Sequence, residues 1–233
     1  MTTAAAIIIG NEILTGKYRD ENGPWLAVEL RRLGVDLVRI LTIPDEVDVI
    51  ADAVRECTGL ADCVFTSGGV GPTHDDVTFE GVAKGLGVPI VRNRGMAQAI
   101  RDKMGDDFTD DALRMADLPE GTVLHGSGIP VFVCQGVVIL PGVPRYFKAK
   151  FAEYAPMLEG VPVQSRSIRC AARETTIAST LRAAAERWPQ VDIGSYPRFE
   201  AEPPHVIITI DSRDPSSLEQ AHQWLQAQLG VES

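Results

Sequence analysis

Thr66-Ser67-Gly68-Gly69-Val70-Gly71-Pro72-Thr73-His74-Asp75-Asp76-Val77-Thr78 follows a short apolar run, residues 62–66, and precedes an amphipathic one, residues 77–86. A glycine-rich turn between a strand and a helix lets the main chain approach a ligand closely and leaves N–H groups pointing at it, an arrangement that cradles phosphate. Two carboxylates at the start of the following helix repel a phosphate held on that same N-terminus unless a cation lies between. The stretch therefore implies a divalent metal with a taste for oxygen ligands, of the Mg²⁺ kind. The alternative is that Asp75 or Asp76 caps the helix and that Gly68, Gly69 and Gly71 only permit a tight turn. Capping accounts for one aspartate.

Outward from this loop the chain alternates short apolar runs with amphipathic ones. Residues 4–9 are continuously apolar and stop at Gly10, as a strand buried on both faces does. Residues 24–33 place Leu26, Leu30 and Leu33 on one helical face, with Pro24 in the first turn and Gly34 past the end. Residues 35–43 are the next strand, and Val47, Ile50, Ala51 and Val54 space a helix after it. Such alternation implies right-handed βαβ crossovers and an α/β fold with a mostly parallel sheet between two layers of helices. Ligands of these sheets bind at the carboxyl ends of the strands. Residues 88–91 read as a further strand and 94–104 as a helix, while 105–118 are acidic and only weakly helical. Residues 131–134 and 137–140 read as a hairpin turning at Gln135-Gly136 and delivering Pro141-Gly142-Val143-Pro144 to an edge. Beyond Pro156 a β-α-β-β-α string forms a small α+β unit, with residues 212–217 as turn and N-cap before the last helix.

Other motifs narrow the chemistry. Gly10 to Tyr18 superficially resembles a phosphate-binding Walker loop, but its glycines are one residue too far apart and Tyr18 stands where Ser or Thr should hold metal. Gly69 to His74 lacks the last glycine of a dinucleotide fingerprint. What remains after the first strand is a polar loop offering Asn11, Glu12, Thr15, Asp20 and Asn22, or simply a solvated one. Asp45 follows the second strand, as a further ligand or as a cap for the next helix. Two or three carboxylates from separate strand ends make a metal site. Pro144 is placed to begin a helix, and Gly142 lets the backbone approach a ligand or forms a rigid turn. His74 and His125 lack an acid–base partner in sequence.

Composition sets the bounds. The 233 residues carry a net charge of -10, with 45% hydrophobic and 23% charged residues, ordinary for a folded protein and repulsive to nucleic acid in the absence of a basic run. Cys57, Cys63, Cys134 and Cys170 have no CxxC spacing, so buried reduced thiols are expected rather than zinc or disulfides. The start Met1-Thr2-Thr3 runs straight into the first strand without a basic leader, which reads as cytoplasmic, with no membrane association.

Gly10-Asn11-Glu12-Ile13-Leu14, with Gly16, Asp20 and Asn22, resembles the opening signature of the CinA N-terminal domain. Gly68 to Glu80 resembles that family's central motif, and Leu140-Pro141-Gly142-Val143-Pro144 and Gly194-Ser195-Tyr196-Pro197 its later landmarks. The His-Asp-Asp form is most similar to the molybdopterin-binding-like domain of eukaryotic FAD synthases, while the MogA and MoaB proteins share the Gly-Gly-x-Gly…Asp-x-Thr core. The resemblance implies a three-layer αβα domain of MogA/MoaB type over residues 1–160, a small domain over 165–233, and self-association. It implies that Asp45 and Asp76 hold a divalent metal (Mg²⁺, Mn²⁺ or Co²⁺) and that a nucleotide pyrophosphate, ADP-ribose or FAD, is cleaved. Ser67, Gly68, Gly69, Gly71, Thr73, Asp75, Pro141 and Gly142 then hold the ligand, and Glu12 or Asp75 orients water. The alternative is a non-catalytic protein that binds molybdopterin, or its adenylated form, in molybdenum cofactor biosynthesis. Asn11 stands where many relatives have aspartate, and Gly126-Ser127-Gly128-Ile129-Pro130 departs from the usual bacterial version, which leaves the base or pterin side of the pocket open. With the chain ending at Ser233, neither the CinA amidohydrolase nor the FAD-synthesising activity is expected.

Overall fold

The apolar run at the N-terminus forms β1 (Thr3–Ile9), buried from its second residue onward, in a computed structural model that describes residues 2–126 and 128–231. A single turn α1 (Asn11–Leu14), then α2 (Asn22–Leu33), β2 (Asp36–Ile43), α3 (Val47–Leu60), β3 (Cys63–Ser67) and α4 (Thr78–Leu86) follow. Next come β4 (Ile90–Arg92), α5 (Arg94–Met104), β5 (Asp117–Pro119), β6 (Val123–His125), β7 (Val131–Cys134), β8 (Val137–Leu140) and α6 (Pro144–Tyr154). These belong to a first compact unit that ends at Gly160; a second begins at Val161.

The first unit is a mixed α/β layer structure on a six-stranded sheet of order β2-β1-β3-β8-β7-β6. Its β1–β2, β1–β3 and β3–β8 pairs are parallel, and β7 joins β8 and β6 antiparallel. Alternation of side chains along β1 splits the core between the two faces. Ala5, Ile7 and Ile9 pack with Ile50, Val54, Phe79 and Val82 on one face, and Ala4 and Ala6 with Leu26, Leu30, Phe147 and Phe151 on the other. On the second face Trp25 meets Phe147 and Phe151 edge-on at 6.0 and 5.4 Å between ring centres. Helices α3 and α4 touch through Gly81 and Gly85, where a Cβ would stand 2.5 Å from the Ile50 side chain and 2.8 Å from that of Val54.

Four features depart from the sequence reading. The loop after β1 contains the helical turn α1. The 88–91 strand is Ile90–Arg92 and stays out of the main sheet, pairing antiparallel with β5 in a two-stranded ribbon. It is three exposed residues long, and Arg92 Nη2 donates to Asp117 Oδ2 across it at 2.7 Å. β6, also three residues, adds an edge that was not read. The acidic 105–118 stretch is two 3₁₀ segments, Gly105–Asp107 and Asp110–Ala116, running into β5. The hairpin turns at Gln135-Gly136 with φ of 46° and 83° at the two positions, and Pro144 opens α6.

The second unit contains β9 (Gln164–Cys170), α7 (Glu174–Arg187), β10 (Asp192–Arg198), β11 (His205–Ser212) and α8 (Pro215–Leu229). Its sheet is antiparallel in the order β10-β11-β9. Val206, Ile208 and Ile210 alternate inward against Ile177, Ala184, Leu218 and Leu225. Asp214 caps α8, accepting from the N–H groups of Ser216 and Ser217 at 3.2 and 3.1 Å. All four cysteines are buried free thiols, and burial pushes Cys57 up to about 11 and Cys63 to about 12. Among the described residues no helix is long and apolar enough to cross a membrane.

Candidate functional site

The parallel strands β1, β2, β3 and β8 end on one edge of the sheet at Ile9, Ile43, Ser67 and Leu140, so the loops that follow them converge. They enclose a cavity of about 1010 Å³. Glu12 comes from the first loop, Asp45 from the second, Gly68, Gly69, Gly71, Asp75 and Asp76 from the third, and Pro141 and Gly142 from the fourth, with Ser67 at the strand end; all line the cavity. Of the residues singled out from sequence, Thr73, Asn11 and Thr15 do not. His74 is almost fully exposed outside the cavity, His125 packs against Tyr154, and Ser127 lies outside the described residues.

The glycines of the central loop answer first to the fold. Gly68 has φ +112°, and a Cβ there would sit 2.2 Å from the Ile9 carbonyl oxygen at the end of β1. Gly69, at φ +62°, would press on Thr78 Oγ1 at 2.4 Å, and Gly71 on the Asp76 carboxylate at 2.6 Å. Thr78 is fully buried; its hydroxyl donates to Gly68 O at 2.8 Å and its N–H to Gly69 O at 3.0 Å. The start of α4 is thus sewn to the loop that precedes it.

Neither aspartate caps α4. That helix begins at Thr78 with no side-chain cap, because the Asp76 carboxylate turns back to accept from the N–H and hydroxyl of Thr73, at 2.8 and 2.5 Å. The Thr73 hydroxyl lies 2.6 Å from Asp75 Oδ1. This hydroxyl, with the Asp75 N–H and the nearby His74 and Arg114 behind it, holds the exposed Asp75 carboxyl below the usual range. Thr73 therefore shapes the loop from behind. Arg114, which sequence reasoning missed, clamps the same loop, donating to Thr73 O at 2.9 Å and Asp76 O at 3.4 Å, with Glu80 at 3.5 Å. Nothing local in the sequence ties Arg114 to residues some forty positions earlier.

Asp45 is not the cap of α3 either, since that helix starts without a side-chain cap. Its Oδ2 instead accepts from the Asn11 N–H at 2.7 Å, satisfying the start of α1. Burial pushes the Asp45 carboxyl up and the Asn11 N–H opposes this, while the negative charges of Glu12, Asp75 and Asp76 push it further up. The four carboxyls thus share one electrostatic neighbourhood. Among the described residues no three His, Cys, Asp or Glu side chains come close enough together to hold a metal by themselves.

Asn22 is the second residue whose weight only the structure reveals. It is 4% exposed at the start of α2. Its amide donates to Ser67 Oγ at 2.9 Å and Gly142 O at 2.7 Å, tying β3 and β8 together at the cavity floor. Asp20 spends its carboxylate on the N–H groups of Asn22 and Gly23 at 2.9 and 3.1 Å. Met96, Ile100, Met104, Met115 and Phe132 build an apolar wall, and Arg19, Lys103 and Lys150 supply the cavity's cations. The α5 residues that supply most of that wall read from sequence only as part of a helix.

Residues 5–160 match the family described as a probable molybdopterin binding domain. The chain belongs to this family. Residues 162–233 match the FAD synthase middle domain, so the molybdopterin-binding-type domain is followed by a FAD synthase-type one. A protein of Archaeoglobus fulgidus is 31% identical over 92% of this chain and 93% of its own. The probable FAD synthase of Caenorhabditis briggsae is 31% identical over 93% of this chain but 47% of its own, so the chain spans about half of that worm protein. The structure of CinA from Thermoplasma acidophilum superposes with a TM-score of 0.63 at 32% identity, covering 67% of this chain and 97% of that one. The family's mostly parallel sheet is the frame that gathers the four loops.

Proposed function

We propose that the first unit hydrolyses a nucleotide pyrophosphate, ADP-ribose or FAD, with a divalent cation. The observation that carries this reading is that carboxylates and glycines and a set of apolar side chains line one and the same cavity, which suits a charged pyrophosphate attached to a flat ring. The FAD synthase-type relatives lend it support.

The site fits Mg²⁺, Mn²⁺ or Co²⁺ in one respect: the negative charges of Glu12, Asp75 and Asp76 stand close enough to the Asp45 carboxyl to add to the upward push of its burial. Such a cation, held by Asp45 and Asp76, would complete its shell with substrate oxygens and water, as Mg²⁺ commonly does, and would neutralise charge developing on phosphorus. The chain's own contribution is positioning. Ser67 and the backbone from Gly68 to Gly71 face the pyrophosphate, and Glu12 or Asp75 orients a water and takes its proton. As water adds to one phosphorus, the bridging oxygen leaves with the other phosphate, giving AMP and either ribose 5-phosphate or FMN. The Met96, Ile100 and Phe132 wall receives a ring and keeps bulk water off that side.

A second reading, binding of molybdopterin or its adenylated form without turnover, is favoured by the lack of three clustered ligands among the described residues. Chromatography of ADP-ribose and FAD incubated with the protein and each metal separates the two. Metal-dependent AMP release, stopped by a chelator, is expected. No AMP with any metal, together with tight pterin binding, selects the second.

A further inference from the structure

Gly194-Ser195-Tyr196-Pro197 lies in β10, in the second unit, and none of it lines the cavity. The sheet of that unit buries Val206, Ile208 and Ile210 under its helices, so the residues alternating with them point to the opposite face. On that open face the register sets Tyr196 beside Ile207 and Ile207 beside Arg169. One row along, Gly194 neighbours Thr209, which neighbours Ser167.

A Cβ on Gly194 would stand 2.7 Å from Cε2 and 2.9 Å from Oη of Tyr196. The phenol ring therefore lies back along its own strand, across the glycine, and only glycine leaves it room. Tyr196 is nonetheless 53% exposed, so the ring rests on its own strand at Gly194 with about half of its surface in solvent. A ring so held offers a stacking surface that loses little freedom on binding.

The charges around it are ordered. Arg198 is two residues along from Tyr196, about 7 Å, and Arg169 two strands across, about 10 Å, from the spacings of a sheet. Both arginines are exposed, and Arg169 Nη2 lies 3.3 Å from His205 Nδ1, the cross-strand partner of Arg198 being that same histidine. At the other end of the face the row is acidic, with Asp192 beside Asp211. Two arginines thus stand to one side of the ring and the Asp192–Asp211 pair to the other, with Glu200 and Glu202 in the turn beyond Arg198, in a protein of net charge -10.

We propose that this face is a nucleotide site separate from the cavity, taking a purine nucleoside diphosphate whose base stacks on Tyr196 and whose phosphates meet Arg169 and Arg198. The hydroxyls of Thr209 and Ser167 are placed for the sugar or base edge. Two arginines match one short polyphosphate, whereas exposed Asp192 two residues beyond Gly194 is unfavourable to the continuing backbone of a polynucleotide. The proposal does not depend on hydrolysis in the cavity, since every residue it uses belongs to the second unit.

Photolabelling of the full chain with 8-azido-ADP, followed by peptide mapping, tests it. Label is expected on peptides from β9, β10 or β11, and it should persist in Asp76→Ala, which touches only the cavity. By calorimetry with ADP, Tyr196→Ala and Arg169→Ala should each weaken this site on the order of tenfold, Tyr196→Phe should keep it, and Gly194→Ala should lose it by displacing the ring. Circular dichroism confirms that each variant is folded. Label confined to residues before Gly160, or equal labelling of Tyr196→Ala and the unaltered chain, would overturn the proposal. So would an RNA oligomer that displaces ADP from these peptides at equal nucleotide concentration.

Discussion

At Asp45 a single carboxyl answers two opposed demands: it must accept the Asn11 N–H at 2.7 Å, and it must do so half-buried among the charges of Glu12, Asp75 and Asp76. Burial raises its pKa in the folded protein, so the proton is held more tightly folded than unfolded. Its favourable contribution is complete below the unfolded value near 3.8 and is lost as pH rises through the higher folded one. Asp45→Asn keeps an acceptor for Asn11 without the charge. In metal-free buffer it should melt higher than the unaltered protein at pH 7, with the gain shrinking as pH falls toward 4. Melting scans across that range check this, and a constant difference at every pH would refute the electrostatic origin. Gly68 makes a steric test at the same edge. Gly68→Ala should cost at least about 2 kcal/mol in urea unfolding, from a left-handed backbone and a methyl pressed on the Ile9 carbonyl. The sequence named Asp45, Asp75 and Asp76 but left capping open, and it could not do otherwise. Whether a carboxylate caps forward or folds back onto Thr73 depends on loop geometry that Arg114 fixes from a distant segment.

Elements with strong local periodicity were legible. Residues 4–9 can only satisfy a continuous apolar run as a doubly covered strand, and the Leu26-Leu30-Leu33 stripe can only be helical. The hairpin was legible despite its turn residue: Gln135 takes φ 46°, which a non-glycine residue adopts at a cost of about 1–2 kcal/mol, because the strands on either side are buried and fix the register. The three-residue strands β5 and β6 escaped notice, and β4 was read without its partner, since a run that short has no period and its pairing is set elsewhere in the chain. Glycines inside α4 carry a message that sequence alone mutes. Gly81→Ala gains about 1 kcal/mol of helix propensity, yet its methyl would lie 2.5 Å from Ile50 and force α3 and α4 apart. A net loss of about 1–3 kcal/mol in chemical denaturation is expected; a net gain would mean that the helix contact is loose.

For the molecule as a whole, four strand ends that are far apart in sequence are brought to one edge by parallel pairing, and the cavity is a consequence of that topology rather than of any one motif. The loops with motifs could be read from sequence because glycines and carboxylates advertise themselves. The apolar wall and the partners of Asn22 could not: a methionine on an amphipathic helix shows no cavity until the helix is docked, and Asn22, read as a loop residue at the ligand edge, shows nothing of its bonds to Ser67 and Gly142. The proposed hydrolysis requires Asp76, two residues ahead of α4, to stand beside the pyrophosphate and its cation. The most direct measurement is the rate of AMP release from ADP-ribose with Mn²⁺, comparing the unaltered protein with a folded Asp76→Ala variant. Metal-dependent release that falls on the order of a hundredfold or more in the variant is the expected result; no release from the unaltered protein, or a variant within about twofold of it, would contradict the claim.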